Sequence, residues 1–200
     1  SREFLDSRGL VCYKEGDLGP VYGFQWRHFG ALYKGCHINY KEEGFDQLKK
    51  CEEMLKTDPF SRRIVMTAWN PLQIPEMALP PCHILIQWYV TNDNKLWLQF
   101  YQRSGDMFLG IPFNMFSYSV LLHIMSQRTG IPPGGVVHSI GDAHIYSNHI
   151  QAVYKQLSNT IHQQPTINIK NKENWEDYNI KDFEIFDYNC SGRISAPMSA

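Results

Sequence analysis

The sequence lacks the cysteine pattern of a disulfide framework or of a thiolate zinc site. Its 200 residues include five cysteines, an odd number, and no two of them form a CxxC pair. Because disulfides are rare in reducing compartments, this pattern predicts an intracellular, cytoplasmic protein. An excess of charge of one sign is also absent, since 19 basic and 20 acidic residues leave a formal charge of -1. No global field draws the chain to nucleic acid or to an anionic membrane, so any anion site must be built locally from arginines.

Long hydrophobic runs, repeats and low-complexity segments are absent as well. The longest nearly apolar stretch, residues 83–90, is far shorter than the roughly 20 residues of a membrane span, and the start, SREFLD, is not a signal peptide. The chain has no initiator methionine, which suggests a cut from a longer chain. What is present is a hydrophobic share of 43% and an aromatic share of 14%, which favour one folded domain over residues 1–200.

Hydrophobic periodicity predicts a mixed α/β fold of the α+β class, with a sheet as its core. The predicted helices cover residues 44–57, ending before Pro59, residues 114–128, ended by Gly130, and a segment that begins near Asn148. The predicted strands cover 62–69, 82–90, 95–103, 136–140, a short piece within 158–182, and 183–188. A turn at 92–94 joins the second and third strands into a hairpin. No second domain is predicted.

Cys82 is the cysteine whose position favours chemistry. It follows Pro80-Pro81 and begins an apolar strand, and active sites often open at strand ends. The alternative is a buried structural cysteine, which the tetrapeptide alone favours. A cysteine nucleophile reacts as the thiolate, and an ordinary thiol needs a nearby cation to supply it at neutral pH. Arg103 ends the third strand, so antiparallel pairing with the second strand would place Arg103 and Cys82 at the same edge of the sheet.

Three further groups are candidate ligand contacts. The segment Arg103-Ser104-Gly105-Asp106 contains the parts of a phosphate cradle, and the pair Arg62-Arg63 fits either an anion site or a solvated strand start. In extended geometry the alternation DAHIY (142–146) projects an aspartate, a histidine and a tyrosine onto one face, which suits a sugar hydroxyl but is short of a metal set. Asn114 could hydrogen-bond to the edge of a pyrimidine base, or it could cap the N-terminus of a helix. Composition alone favours the helix cap.

Six segments of the chain resemble the thymidylate synthase family, in that family's order. They are LGPVYGFQWRHFGA (18–31), RRIVMTAWNP (62–71), MALPPCH (77–83), YQRSGDM (101–107), LGIPFN (109–114) and GDAHIY (141–146), and the terminal APMSA is similar to the family's closing segment. The resemblance implies a large mixed sheet packed against helices, with the sheets of two subunits back to back in a homodimer. It also implies reductive methylation of dUMP to dTMP, with methylenetetrahydrofolate supplying both carbon and hydride and with no metal.

The resemblance also implies a role for each matching residue. Cys82 would attack carbon 6 of the uracil ring, which makes carbon 5 a nucleophile toward the folate-borne carbon. The residues implied in dUMP binding are Arg103 and Ser104 at the phosphate, Arg62 and Arg63 at the same phosphate from the other subunit, Asn114 at the uracil edge, His144 and Tyr146 at the ribose 3′-hydroxyl, and His83 and Gln102 in support. The residues implied in folate binding are Asp106 at the pterin and, along the rest of the site, Leu109, Gly110, Phe113, Met198 and Ala200.

The chain also departs from the family pattern. The family's N-terminal portion, which carries a glutamate of the acid/base water network and a phosphate-loop arginine, has no counterpart in residues 1–200. The chain therefore resembles the C-terminal two-thirds or so of an enzyme, and its activity alone stays open. Met115 and Phe116 stand where smaller residues are usual, and Ala200 stands where a larger aliphatic residue is usual.

Two alternatives to the synthase reading remain. The first is a pyrimidine nucleotide hydroxymethylase, in which water completes the transfer in place of hydride. A cytosine-specific enzyme of that kind is expected to carry Asp at position 114, so Asn114 favours uracil. The second alternative is a non-catalytic fragment of the same fold that binds nucleotide or RNA.

Overall fold

The structure is a computed structural model that describes residues 1–199, so the predicted folate contact of Ala200 lies outside the described residues. The α-helices are Arg2–Ser7 (α1), Tyr22–His28 (α2), Gln47–Thr57 (α3), Gly110–Thr129 (α4) and Ile150–Leu157 (α5). The strands are Val65–Thr67 (β1), His83–Val90 (β2), Leu96–Asp106 (β3), Pro133–His144 (β4), Thr166–Ile169 (β5) and Phe183–Phe186 (β6). Short 3-10 helices lie at Ile74–Glu76, Ser147–His149, Trp175–Asp177 and Ile180–Asp182. Within the described residues, no helix is long and apolar enough to cross a membrane.

A four-stranded mixed sheet organises the fold. Its order is β1-β2-β3-β4, in which β1, β2 and β3 pair antiparallel and β4 pairs parallel to β3. The parallel pair is connected by α4, because parallel neighbours need a crossover that returns the chain to the same end of the sheet. Strands β5 and β6 form a separate two-stranded sheet. The predicted mixed α/β class, with a sheet packed against helices, is confirmed.

One face of the sheet carries the core. Alternate residues of β3 point inward, and Leu96, Leu98 and Phe100 have no exposed surface. The core cluster is formed by Leu48, Cys51, Leu55, Ile64, Met66, Ile86, Trp88, Val90, Leu96, Leu98, Phe100, Tyr118, Leu122, Met125 and Ile131. Its helical members come from α3 and α4, so these two helices cover the inner face.

Helix α3 follows the sequence pattern closely. The Asp46 side chain accepts a hydrogen bond from the Lys49 N–H at 2.9 Å, which satisfies a backbone donor of the first turn. The helix ends at Thr57, and Asp58 before Pro59 leaves helical geometry, as expected of a residue that precedes proline. The predicted helix 44–57 is confirmed with a later start.

Helix α4 begins four residues earlier than predicted, at Gly110 in place of Asn114. Proline is tolerated in the first turn of a helix because its missing N–H would have no partner there, and Pro112 occupies the third position. Asn114 therefore lies inside the helix, so the N-cap interpretation of Asn114 is wrong. The predicted end is correct, because Gly130 adopts left-handed geometry (φ 73°) and its N–H reaches the Ser126 carbonyl.

Two strands, β1 and β4, differ most in length from the predictions. Strand β1 has three residues where eight were predicted, and β4 has twelve where five were predicted. The extension of β4 includes Gly134 and Gly135, which the Trp97 indole of β3 covers. A Cβ atom at Gly134 would lie 2.2 Å from Trp97 Nε1, so only glycine allows this contact.

Candidate functional site

Cys82 and Arg103 are direct neighbours at one edge of the sheet, as the strand-pairing argument predicts. The Arg103 N–H donates to the Cys82 carbonyl at 2.8 Å. The Arg103 guanidinium donates to the carbonyls of Pro81 at 2.9 Å and Pro80 at 3.0 Å, and its central carbon lies 5.7 Å from the centre of the Trp69 ring. Two backbone carbonyls and an aromatic face thus hold the arginine beside the cysteine.

Cys82 is partly exposed, unlike the other cysteines. Cys51 is buried in the core, and Cys12, Cys36 and Cys190 are exposed in loops. The partial exposure of Cys82 fits a thiol that a small ligand can reach, and its strand-end position keeps the backbone fixed. The burial that the tetrapeptide alone favours at this position is therefore wrong.

Tyr22 contacts Cys82, which directly precedes β2, and His83, which begins it, and sequence reasoning did not single Tyr22 out. Its hydroxyl accepts a hydrogen bond from the Cys82 N–H at 2.7 Å, and its ring stacks on His83 with the ring centres 4.3 Å apart. Burial raises the pKa of Tyr22 to about 12, so the phenol is protonated at neutral pH. The only sequence signal for Tyr22 was its place in the segment 18–31, because its contact with Cys82 spans 60 residues.

His83 is enclosed by two tyrosines. Tyr118 on α4 lies with its hydroxyl 2.6 Å from His83 Nδ1, opposite the stacked ring of Tyr22. Burial, with a smaller contribution from nearby His138, lowers the pKa of His83 to about 4. The imidazole is therefore neutral at pH 7 and acts as a hydrogen-bonding group without a charge.

A chain of hydrogen bonds connects β4, β3 and α4 behind the cysteine. His138 Nε2 lies 2.9 Å from Gln102 Oε1, and Gln102 Nε2 donates to the Ser104 carbonyl at 2.8 Å and to Asn114 Oδ1 at 3.1 Å. Gln102 is 2% exposed. The structure thus brings Gln102, Ser104 and Asn114 together as the resemblance implies, and it adds His138, which sequence reasoning missed.

The end of β4 supplies a second polar group at the same edge. His144 pairs in register with Asp106 of β3, and its ring lies 5.0 Å from the Tyr146 ring, centre to centre. His144 Nδ1 also lies 3.5 Å from an Asp142 carboxylate oxygen. The polar residues of the DAHIY segment thus lie close together, as the alternation predicts.

Asp106 is held near the C-terminal tail. One Asp106 oxygen accepts hydrogen bonds from the N–H groups of Phe108 at 3.0 Å and Leu109 at 3.3 Å. The same oxygen lies 3.8 Å from Nδ1 of the fully buried His149, whose Nε2 lies 2.7 Å from the Pro197 carbonyl. The His149 ring therefore lies between Asp106, at the end of β3, and the tail that carries Met198.

Two more of the predicted folate residues, Gly110 and Phe113, lie in the first turn of α4, directly after this segment. Gly110 begins α4, and a Cβ atom there would lie 3.5 Å from the Asp106 Cβ atom. Phe113, one turn further along α4, is 72% exposed, and Met198 is 67% exposed. An exposed aromatic ring and an exposed thioether are both groups against which a flat ring system can pack.

Arg62 and Arg63 do not join this cluster within the chain. Both are exposed and precede β1, whose register places Val65 opposite Gln87 and Thr67 opposite Leu85. The arginines therefore lie at the far end of β2 from Cys82. A phosphate beside Arg103 is out of reach of this pair in the same chain.

A second charged region lies away from this edge. A cavity of about 900 Å³ is lined by residues of α3 and of the segment 173–176, together with Arg128. Its buried carboxylate, Glu52, accepts hydrogen bonds from Arg128, Lys56 and Trp175. Among residues 1–199, no group of three or more histidine, cysteine, aspartate or glutamate side chains could hold a metal ion.

Fold and site together define a mixed α/β protein that presents a reachable cysteine, an arginine and hydrogen-bonded amide and imidazole groups at one edge of its sheet. The family model described as thymidylate synthase matches residues 2–200. The chain belongs to the thymidylate synthase family.

Named relatives agree with this assignment. The chain is 54% identical over 190 residues to the bifunctional dihydrofolate reductase-thymidylate synthase of Leishmania major, with 94% of the chain and 36% of that protein covered. It is 50% identical over 200 residues to the thymidylate synthase of Homo sapiens, with 100% of the chain and 64% of that protein covered. It is 47% identical over 208 residues to the enzyme of Saccharomyces cerevisiae, with 100% and 68% covered. The chain thus spans between about a third and two thirds of these relatives.

Proposed function

We propose that the chain carries the nucleotide and folate sites of a thymidylate synthase, which converts dUMP to dTMP with methylenetetrahydrofolate as cosubstrate. The observation that carries this proposal is the placement of Cys82 against Arg103, next to the Gln102–Asn114 pair. A thiol, a fixed cation and an oriented amide at one sheet edge match the three parts of a pyrimidine nucleotide, namely an electrophilic ring carbon, a phosphate and a base edge.

Cys82 supplies the nucleophile in this proposal. Its thiolate sulfur forms a bond to carbon 6 of the uracil ring, and the electron pair of the 5,6 double bond moves toward carbon 5 and the adjacent carbonyl oxygen. The hydrogen bond from the Cys82 N–H to Tyr22 fixes the backbone from which the sulfur approaches. The cosubstrate supplies a one-carbon unit and a hydride. Carbon 5 releases its proton after it has taken the carbon, and the Cys82 thiolate leaves carbon 6 as the 5,6 double bond re-forms.

Arg103 and Ser104 hold the 5′-phosphate. Two carbonyls position the guanidinium, and Ser104 is the next residue of β3, so the cation and the hydroxyl come from neighbouring positions near the same strand end. His144 and Tyr146 lie in contact with each other near the same edge and bind the ribose hydroxyl. Each of these ligand groups comes from a strand end or from the segment directly after a strand, which makes the nucleotide site rigid.

Asn114 reads the uracil edge. Its Oδ1 atom faces Gln102, so its Nδ2 donor points away from the chain of hydrogen bonds and is available to a carbonyl oxygen. One lone pair of Oδ1 remains for the N–H of the ring. This donor and acceptor order complements uracil, which favours the synthase over a hydroxymethylase acting on cytosine.

Asp106, Leu109, Gly110, Phe113 and the tail around Met198 hold the folate. The Asp106 carboxylate accepts from ring N–H groups, and the exposed Phe113 ring offers a face for stacking. The contact of His149 with Pro197 keeps the tail beside this turn. These residues bind the folate and exclude water from it. None of them forms a covalent bond to the cosubstrate.

The proposal includes a homodimer that places Arg62 and Arg63 at the phosphate of the other subunit. Helices cover one face of the sheet, and the opposite face exposes Val65 (40%), Leu85 (43%) and Tyr101 (40%). An apolar sheet face without helices fits a two-fold interface between identical subunits. All five cysteines are free, which fits a reducing cytoplasmic setting.

The test is covalent trapping with 5-fluoro-dUMP and methylenetetrahydrofolate in the full-length natural protein. The fluorine at carbon 5 blocks completion of the reaction, so a stable adduct marks the attacking residue. We expect Cys82→Ser to abolish the adduct seen by intact-protein mass spectrometry. Cys190→Ser, at an exposed cysteine, is the matched control and should keep the full adduct yield. A Cys82→Ser protein with unchanged adduct yield would refute the assignment.

A further inference from the structure

The Ser104 carbonyl sets the direction of the buried Gln102 amide. A backbone carbonyl only accepts hydrogen bonds, so the Gln102 atom that lies 2.8 Å from it is the nitrogen Nε2. The oxygen Oε1 must then face the opposite partner, His138 Nε2 at 2.9 Å. An acceptor there requires a donor, so His138 carries its proton on Nε2.

The His138 ring is itself held in place. It stacks on Phe100 with the ring centres 3.9 Å apart and the planes 21° apart, and β4 positions its backbone directly opposite Phe100 in the ladder. Burial lowers the pKa of His138, so the imidazole is neutral at pH 7 and carries a single N–H. That single N–H is directed at Gln102.

The second hydrogen of Gln102 Nε2 points at Asn114 Oδ1, 3.1 Å away. The direction of the Asn114 amide is therefore a consequence of the direction of the Gln102 amide. The direction of the Asn114 amide matters for the choice of base. Uracil presents a carbonyl acceptor followed by a ring N–H donor, whereas cytosine presents an amine donor followed by a ring-nitrogen acceptor. Asn114 in its present direction complements uracil, and the same amide rotated by 180° complements cytosine.

We propose that His138 is a positioning residue for base selection, which acts by fixing the Gln102 amide and through it the direction of the Asn114 amide. The proposal rests on the proposed function and extends it to a residue with no part in binding the nucleotide. Without the His138 donor, Gln102 Oε1 is a buried acceptor without a partner, and rotation of the Gln102 amide no longer costs a hydrogen bond at that end. The Ser104 carbonyl alone then holds the direction of the Gln102 amide, so the reversed direction of Gln102, and of Asn114 with it, costs one hydrogen bond less than in the natural protein.

The experiment compares dUMP and dCMP binding to three variants of the full-length protein by calorimetry. His138→Leu removes the donor and keeps the bulk, whereas His138→Gln places an amide nitrogen at the reach of Nε2. His138→Asn places its amide nitrogen only at the reach of Nδ1. We expect the preference for dUMP over dCMP to fall about tenfold in the Leu and Asn variants, the equivalent of one hydrogen bond, and to stay within about twofold of the natural protein in the Gln variant. His123→Leu, at a half-buried histidine of α4, is the control.

A second measurement needs no nucleotide. In the natural protein the Gln102 side-chain N–H₂ protons should exchange slowly with solvent by NMR, and ¹⁵N shifts should show His138 protonated on Nε2. Exchange should accelerate by about tenfold or more in His138→Leu and be restored in His138→Gln. Unchanged exchange in a folded His138→Leu protein, or a Gln variant as altered as the Leu variant, would overturn the role of His138. Failure of the natural protein to bind dUMP would instead refute the proposed function, whatever the exchange data show.

Discussion

Asn114 has a side chain with one donor group and one acceptor group, and in the proposed site this single amide selects the base. Replacing Asn114 by Asp converts the outward donor into an acceptor. We expect Asn114→Asp to weaken dUMP binding by about 1–3 kcal/mol and to strengthen dCMP binding, because the exocyclic amine of cytosine needs an acceptor. Calorimetric titration with dUMP and with dCMP measures both changes in affinity. If dCMP binding is the same in variant and natural protein, Asn114 has no role at the base.

Gly19 is a residue where both the backbone angle and the neighbouring chain require glycine. Its φ is +79°, and an added Cβ atom would lie 2.0 Å from the Glu76 carbonyl oxygen. We expect Gly19→Ala to lower the free energy of unfolding by at least ~2 kcal/mol, from left-handed strain and the clash together. It should also slow adduct formation, because Leu18 O accepts from the Ala78 N–H in the segment that leads to Cys82.

Gly16 is the matched control for Gly19. Its φ is +80°, but an added Cβ atom there meets nothing within 4 Å. Gly16→Ala should therefore cost only the strain, about 1 kcal/mol, in urea unfolding. Equal losses in the two alanine variants would mean that the Glu76 carbonyl moves aside and that no clash arises.

At the scale of elements, Glu52 connects α3, α4 and the segment around Trp175. Its side chain is 5% exposed and that of Arg128 is 10% exposed, so this is a buried ion pair. Burial alone would raise the pKa of Glu52, but hydrogen bonds from Arg128, Lys56 and Trp175 outweigh it, and the pKa is lowered. A lowered pKa contributes stability that is present above the unfolded value, near 4.5, and is lost as the pH falls through the folded value.

We expect Glu52→Gln to lower the free energy of unfolding by about 3–5 kcal/mol at pH 7, because Arg128 is left buried without its partner. The difference from the natural protein should shrink as the pH falls below about 4.5, since protonated Glu52 resembles Gln. Urea unfolding between pH 3 and pH 8 measures both effects. Glu53→Gln, at an exposed neighbour that pairs with Lys50 at 3.7 Å, should change stability by less than ~0.5 kcal/mol at any pH. A constant Glu52→Gln effect across this range contradicts the ion-pair explanation.

The elements that could be predicted are those whose signals are local. Helix α3, the end of α4 at Gly130 and the hairpin of β2 and β3 follow from periodicity, capping and turn residues. The start of α4 was missed because asparagine is a good cap and proline reads as a breaker. The length of β4 was missed because the requirement for glycine at positions 134 and 135 comes from their contact with Trp97, which is more than 30 residues away in the sequence.

The site could be predicted from the sequence only where a motif carried it. Cys82 and Arg103 were placed together by simple antiparallel pairing, and the polar residues of DAHIY by alternation. Tyr22 and His138 contact the site from distant elements, and no local pattern distinguishes them from core residues. Their roles depend on single hydrogen bonds, which periodicity does not encode.

At the scale of the whole molecule, the position of Arg62 and Arg63 far from Cys82 is the basis for a test of assembly. A Cys82→Ala protein and an Arg62→Ala/Arg63→Ala protein, each full-length, should be nearly inactive alone. Equal mixing with subunit exchange should restore about a quarter of normal activity, because half of the dimers are hybrids with one complete site each. Dimer hybrids verified by mass spectrometry yet without activity would place all phosphate ligands in one chain. A mixture of the natural protein with either variant is used to measure the rate of subunit exchange between dimers.

Arg103 has a further consequence for how quickly and how tightly an anion can be held. A free arginine side chain samples many rotamers, and fixing it removes up to ~2 kcal/mol of conformational entropy. In this protein the Pro80 and Pro81 carbonyls and the Trp69 ring restrict the side chain before any ligand arrives. This entropy is therefore lost when the protein folds and not when a ligand binds, so the guanidinium is preorganised for the phosphate of the proposed nucleotide.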